Sequence, residues 1–483
     1  MMICQNRISV ASLLGQPGTR ALLLLLTLIG LYVTYGFFNF YRDPLSIFFS
    51  EKHGFDQFYS LTRQAEANQY LEYLETDRES SIPFPEKAGS NPSICAVFIT
   101  VGREIAGRQY VDTAIGSFLA NLSRAEREEM HLKLFFADVP NPEVQHKSYE
   151  ALAAANLADD ILTYPATLPD RQKERKMQTL ERWASDRQNK HALERKTVHD
   201  YAYALDRCVK TTDAPYIAIF EGDILLADGW AARTLKDLQA IDKMMAEPTR
   251  QTPQRGQVEP GRPSSWLYLR LFNQERSFGW SGGIGFRSNN VHIISLAVGI
   301  PLLFVLLLSR RMLLPRHLAR HLDGWVMFLV CGVAVPLFVW LFFASGKASL
   351  VGAPSGVREE FFGCCNQALV YNRAHAQDLS DFMMAATAKE SPGRSDMLPK
   401  DFAFEHGLAR ISAYPMLAQH AGRVSAIDTS SDEARRVWSM AFENFKPSQL
   451  ALEHQKNVRE LFGDDAASDM KTRNRVRAYV PSL

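Results

Sequence analysis

Residues 214–230 read APYIAIFEGDILLADGW. Tyr216 to Phe220 form an unbroken apolar run that Glu221-Gly222-Asp223 closes. A short continuous run of this kind, bounded by turn residues, marks a strand buried on both faces. Two acids one residue apart at its carboxyl end point toward one pocket. Hard divalent ions such as Mn2+ or Mg2+ take oxygen ligands, and a departing nucleotide diphosphate needs its charge neutralised. Acid-x-acid triplets also occur by chance on surfaces, so the position after a buried strand is what gives this one meaning.

The same pattern continues outward on both sides. ICAVFITVGR (94–103), HLKLFFADVP (131–140) and the end of ANLADDILTYP (155–165) read as strands, YVDTAIGSFLANL (110–122) carries a helical stripe, and 171–210 is a long charged helical region. Strand and helix alternating in this way predict an α/β layer with a largely parallel sheet, in which ligands gather at the carboxyl ends of the strands. Residues 244–265, rich in Pro, Gly, Gln and Arg, read as a loop; WLYLRLF (266–272) and FFGCCNQALVYN (361–372) read as further strands, and residues 398–425 as a helix, a strand and a turn.

Between those last two strands lie two of three stretches that approach the roughly 20 apolar residues a bilayer requires. They run from Val291 to Ser309 and from Trp325 to Ala344, and the first of the three, Ala21 to Phe40, reads as an uncleaved anchor because it is long and lacks a small-residue cleavage site. None holds a charged side chain in its interior, which argues against a transporter. Arg7 and Arg20 precede the anchor, and Arg310, Arg311, Arg316 and Arg320 fill the link between the later pair before its first acid, Asp323. The positive-inside bias puts both on the cytoplasmic side. The organisation expected is a tail at 1–20, an anchor at 21–41, a lumenal stem at 42–92, an α/β domain at 93–288, a membrane hairpin at 289–345 with a cytoplasmic loop at 310–323, the rest of that domain at 346–430, and a charged helical tail at 431–483. One interrupted domain is the better reading, since four short strands make a small sheet and the later segment is too strand-poor to fold alone.

The chain has 483 residues, 46% of them hydrophobic, and a formal net charge of +1, which gives no sign of nucleic-acid binding. In this topology Cys95, Cys208, Cys364 and Cys365 face an oxidising compartment. A bridge from Cys364 or Cys365 to Cys95 or Cys208 is expected if bridges form, with buried free thiols the alternative. No paired C-x-x-C spacing for zinc is present. Asn121-Leu122-Ser123 is a glycosylation sequon.

The strand with its acidic triplet resembles the metal-binding strand of GT-A glycosyltransferases. More narrowly, the chain is similar to the Golgi family of GPI-glycan N-acetylgalactosaminyltransferases, with an N-terminal anchor and a transmembrane pair inside a GT-A domain. The residues concerned are ITVGR (99–103), KTVHDYAYALDRC (196–208), the triplet, FGCCNQALVY (362–371) and PMLAQHAGRVS (415–425). The resemblance implies a GT-A-like mixed sheet with helices on both faces, a UDP-sugar donor, a divalent cation such as Mn2+, a lipid-linked GPI-glycan acceptor and an inverting displacement. It makes Glu221, Asp223 and His420 the expected metal ligands. Thr100, Val101, Gly102, Arg103, Asp138 and Lys196 become the expected contacts to the nucleotide, and Asp396 or Asp401 the general base, with Asp396 preferred. In isolation the same residues have plainer readings: Asp138 as a turn residue, Asp396 and Asp401 as helix caps, Arg195 and Lys196 as part of a solvated charge run, and Trp230, Trp266 and Trp280 as core. The family's triplet is Glu-Asp-Asp, and here Gly222 stands in the middle. A second functional class is therefore a GT-A-fold scaffold or glycan binder without activity.

Overall fold

The computed structural model describes residues 16–76, 87–103, 109–164, 170–186, 188–246, 263, 265–275, 280, 290–351, 354–360, 365–422 and 437–477. Most of the loop expected at 244–265 and Cys364 lie outside them. The chain folds as two units, one of Met1–Asp56 with Glu275–Ala353 and one of Gln57–Gln274 with Pro354–Leu483.

The first unit holds three helices long and apolar enough to cross a bilayer: Pro17–Asn39, Val291–Leu313 and Gly324–Ala344. A β-carbon on Gly299 of the second would lie 3.1 Å from the carbonyl oxygen of Cys331 on the third, so glycine lets these two helices approach closely. The third passes through a π-helical stretch, Phe328–Ala334, just before Pro336, whose missing N–H interrupts the regular ladder. Trp280 donates its indole N–H to the carbonyl of Phe343 within this unit.

The second unit is built on ten strands: β1 (Ile94–Thr100), β2 (Met130–Phe136), β3 (Asp160–Leu162), β4 (Tyr216–Glu221), β5 (Ile224–Leu226), β6 (Trp266–Arg270), β7 (Gly356–Glu359), β8 (Ala368–Asn372), β9 (Ala409–Tyr414) and β10 (Ala418–His420). Eight of them form a mixed sheet in the order β3-β2-β1-β4-β8-β6-β9-β7, and β5 pairs with β10 separately. The first four are mutually parallel; β8 runs against both β4 and β6, and β7 against β9. Strand β6, which precedes the apolar hairpin in sequence, lies between β8 and β9, which follow it.

Alternation along the central strands explains their continuous apolar character. Ala96, Phe98, Ala218 and Phe220 enter one core layer beneath the helices Tyr110–Leu119 and Trp230–Ala246, while Cys95, Val97, Ile217 and Ile219 enter another beneath Lys190–Thr211 and Arg373–Ala386. Both faces are covered, so no position on β1 or β4 needs to be polar until the strand ends. Trp230 and Trp266 belong to the first layer and are buried there.

Three expectations change. Cys95 on β1 and Cys208 on the helix Lys190–Thr211 bond each other, with Cα atoms 5.9 Å apart, because both face the same core layer, so neither is bridged to Cys364 or Cys365. The sequon does not present its amide: Asn121 donates it to Asp228 Oδ1 at 2.6 Å, and the buried Ser123 hydroxyl caps the following helix through Glu126. The segment read as a stem supplies core structure. Its helix, Tyr59–Thr76, buries Arg63, whose guanidinium donates to the carbonyls of Leu226, Ser117 and Ala120 at 2.8, 2.8 and 3.1 Å.

Arg63→Met leaves those three carbonyls without a donor and is expected to lower stability by roughly 3–5 kcal/mol. A chain beginning at Gln57, with residues 275–353 replaced by a flexible linker, should yield a soluble unit with the Cys95–Cys208 bridge intact. A chain beginning at Lys87 should not. Equal yields of folded monomer from the two would show that the helix adds nothing.

Candidate functional site

In the strand order β2-β1-β4, the chain leaves β1 in one direction for β2 and is later resumed on the other side by β4. Such a switch point opens a crevice at the carboxyl ends of the strands. Thr100 to Arg103 stand at the end of β1 and Glu221 to Asp223 at the end of β4, with Ile99 opposite Glu221 in register. Seven of the expected site residues, Thr100, Val101, Gly102, Arg103, Asp138, Glu221 and Asp223, lie around this crevice.

The small ladder adds an eighth. Pairing of β10 with β5 sets His420 against Ile224, and the amide of Ala421 donates to the carbonyl of Asp223 at 2.8 Å. His420 Nε2 thereby comes to 3.5 Å from Asp223 Oδ2. Gln419 beside it is locked by its amide to the carbonyl of Ser439 and the carboxylate of Glu443. Nearly 200 residues apart in sequence, the acid and the imidazole meet because two three-residue strands pair.

Arg103 closes the other side. Its guanidinium is 2.7 Å from Asp223 Oδ2 and lies over the ring of Tyr110 at 5.3 Å. The charges sort accordingly. Burial raises Glu221, and the neighbouring Asp223 raises it further, to about 8. Burial would raise Asp223 too, but His420 and Arg103 outweigh it and hold that carboxyl well below the usual range. Burial would lower His420, and Asp223 overrides it and raises the imidazole.

Among the described residues, no three His, Cys, Asp or Glu side chains are gathered into a complete set for a metal ion. Two of the three expected ligands nevertheless offer suitable atoms. Asp223 Oδ1 and His420 Nδ1 are buried and have no hydrogen-bond partner among the described residues. A carboxylate oxygen and an imidazole nitrogen match Mn2+ chemistry, with the remaining positions left to substrate oxygens and water. Glu221 stands beside them as a second carboxyl.

The loop after β2 builds the side of the crevice where nucleotide contacts were expected. Asp138 Oδ1 accepts the amide of Gly102 at 2.8 Å, while its buried Oδ2 has no partner among the described residues. A β-carbon on Gly102 would meet the carbonyl of Gln145 at 2.5 Å, so the loop lies directly on the end of β1. His146, which sequence reading passed over, binds Thr100 Oγ1 through Nε2 at 2.9 Å. Nothing in its local sequence marks it out; its role depends on the loop's return.

Lys196 does not face this crevice. It is buried, donates to the carbonyl of Ala137 at 2.8 Å and to both oxygens of Asp200 at 2.7 Å, and so supports the end of β2 from behind. Its partner four residues on was the legible signal. Asp200 also bonds Tyr164. Arg195 donates to the carbonyls of Thr387, Lys389 and Glu390. Of the two candidate bases, Asp396 is close enough to push Glu221 upward and is held by both arms of Arg394 at 3.0 and 2.8 Å. Asp401 is exposed on the helix Leu398–Glu405.

No protein-family model matches the chain, and no curated protein matches it in sequence.

Glu221 keeps its proton in the folded chain to about pH 8 and releases it near its ordinary value of 4.5 when unfolded. A raised carboxyl stabilises the fold at low pH and loses that contribution as pH rises through the folded value. In chelator, Glu221→Gln should therefore gain thermal stability over the wild type progressively from about pH 5 to 8. A gap that stays constant across that range would mean that Glu221 is ionised throughout.

Proposed function

We propose that the protein is a metal-assisted glycosyltransferase of the GT-A kind. It resembles the GPI-glycan N-acetylgalactosaminyltransferases and moves N-acetylgalactosamine, or a related hexosamine or hexose, from a UDP-sugar to the mannose core of a lipid-linked GPI glycan. The observation that carries this reading is the approach of His420 to Asp223, two residues past Glu221 at the carboxyl end of β4, beside the switch point with β1. A crevice there suits a nucleotide.

In this reading Thr100, Val101, Gly102 and Asp138 receive the nucleoside and Arg103 meets the diphosphate. Asp223 and His420 are the residues that would hold the cation, and a bound cation would neutralise the charge gathering on the departing UDP. Asp396 takes the proton of the acceptor hydroxyl as that oxygen bonds to the anomeric carbon and the bond from that carbon to the diphosphate oxygen breaks, with inversion. Arg394, paired with Asp396, fixes its direction. Lys196 serves the scaffold rather than the phosphate.

The membrane setting fits such a substrate. Three apolar helices accompany the α/β unit, and the chain passes between the two units at residues 56–57, 274–275 and 353–354. The arginine-rich link between the second and third helices and the Cys95–Cys208 bridge favour a cytoplasmic N-terminus and a lumenal α/β unit, in the Golgi by resemblance. A second reading, an inactive lumenal glycan binder, is favoured by Gly222 in place of the middle acid and by Arg103 on Asp223.

Full-length protein in detergent, supplied with Mn2+, lipid-linked glycan acceptors and a panel of UDP-sugars, should transfer from UDP-N-acetylgalactosamine. Asp223→Ala should cut that rate by roughly 100-fold or more while the domain stays folded. UDP binding with no turnover of any donor would favour the inactive binder, and full turnover by Asp223→Ala would remove the triplet from the chemistry.

A further inference from the structure

The middle of the triplet lies against the end of β1. The amide of Gly222 donates to the carbonyl of Ile99 at 2.9 Å and draws this backbone onto the end of β1. A β-carbon on Gly222 would lie 3.0 Å from Thr100 Oγ1, 3.1 Å from Thr100 Cβ and 3.1 Å from the Ile99 carbonyl. The limit here is room rather than backbone angle. A side chain there would begin in tight contact with the hydroxyl of Thr100.

That hydroxyl is oriented. His146 Nε2 lies 2.9 Å from Thr100 Oγ1, and the amide of Ser148 donates to His146 Nδ1 at 3.3 Å. A ring nitrogen that accepts an amide proton carries none of its own, so in the neutral ring the proton sits on Nε2 and is donated to Thr100. Burial holds His146 neutral, lowering it to about 4. The ring packs edge-on against Phe136 at 4.8 Å, and Ser148 is tied by its hydroxyl to Asp112 at 2.9 Å. Thr100 Oγ1 thus accepts from His146 and keeps its own O–H to donate; among the described residues His146 is its only partner. Thr100 retains 6% exposure at the end of β1.

We propose that Thr100, set by His146 beside the space that Gly222 leaves, binds the ribose hydroxyls of the donor nucleotide, so that a neutral hydroxyl stands in for the carboxylate the triplet lacks. Thr100 touches substrate; His146 is a positioning residue. The inference rests on the nucleotide-sugar reading above and names the part of the donor that this end of β1 recognises.

The test is calorimetric titration of the full-length protein in detergent with Mn2+, comparing UDP with 2′,3′-dideoxy-UDP. The wild type should prefer UDP by roughly tenfold, the worth of one or two hydrogen bonds. Thr100→Val and Thr100→Ala should bring that ratio close to one by weakening UDP while leaving the dideoxy nucleotide unchanged. Thr100→Ser should keep the ratio. His146→Leu should lose it, and His146→Gln, which can still donate to Thr100, should restore most of it, a pattern that a merely structural histidine would not produce. A ratio unchanged in both Thr100→Val and Thr100→Ala overturns the proposal while leaving the donor reading intact, as does a wild type that binds both nucleotides equally. A folded wild type that binds neither overturns the donor reading and this inference together.

Discussion

The parallel pairing of β1 with β4, from Ile94 against Tyr216 to Ile99 against Glu221, sets Thr100 to Arg103 beside Glu221 to Asp223. Its last bond, from Gly222 to Ile99, continues the ladder one step past the strand and fixes where the triplet leaves the sheet. A slip of one residue would exchange the two faces of β4, putting Ile217 and Ile219 where Ala218 and Phe220 now pack. Burial on both sides forbids that slip, and apolar packing of the strand interiors is thereby converted into the placement of two carboxyls.

The sheet is completed only by chain that follows the hairpin. Strand β6 has β8 on one side and β9 on the other, so its backbone groups have no sheet partners until residues beyond 367 have been made. Pairings across such sequence separations form late, because the chain must close a long loop before any contact rewards it. The Cys95–Cys208 bridge joins strand and helix within the earlier part and restrains that part independently of the hairpin.

Much of the architecture was legible because it is local. The apolar runs that became β1, β2 and β4 are continuous, as strands buried on both faces must be, and the three membrane-length helices announce themselves by length and absence of charge. The triplet was legible from its place after one of those runs. What escaped depends on pairing at a distance. Residues 59–76 look like a polar stem because one of their fully buried residues is Arg63, an arginine that lies in the core only because three carbonyls from elsewhere in the chain converge on it. His146 sits in a proline-containing turn with no periodicity to mark it. Lys196 offered two signals, a charge run and an acid four residues on, and the second described its place. The bridge between Cys95 and Cys208 follows from the crossing of a strand and a helix, which no spacing rule contains.

The C-terminal segment, which reads as a charged tail, steadies the site through one buried ion cluster. His454, on the helix Pro447–Phe462, lies 2.9 and 3.0 Å from the two oxygens of Glu126 and 3.4 Å from Asp228. Burial would lower this imidazole, but Glu126 and Asp228 raise it to about 10, so it is a cation at neutral pH, between two carboxylates. Gly229 permits the approach: its φ is +72°, and a β-carbon there would meet His454 Cβ at 2.8 Å. Asp228 stands two residues past the end of β5, and the amide of Ala227 donates to the carbonyl of Leu417, at the head of β10. A rigid turn after β5 fixes the edge against which β10 lies, and β10 ends at His420. The imidazole that meets Asp223 is thus anchored by a second imidazole buried in the tail, which is why residues far beyond the last strand belong to the same folded unit as the triplet.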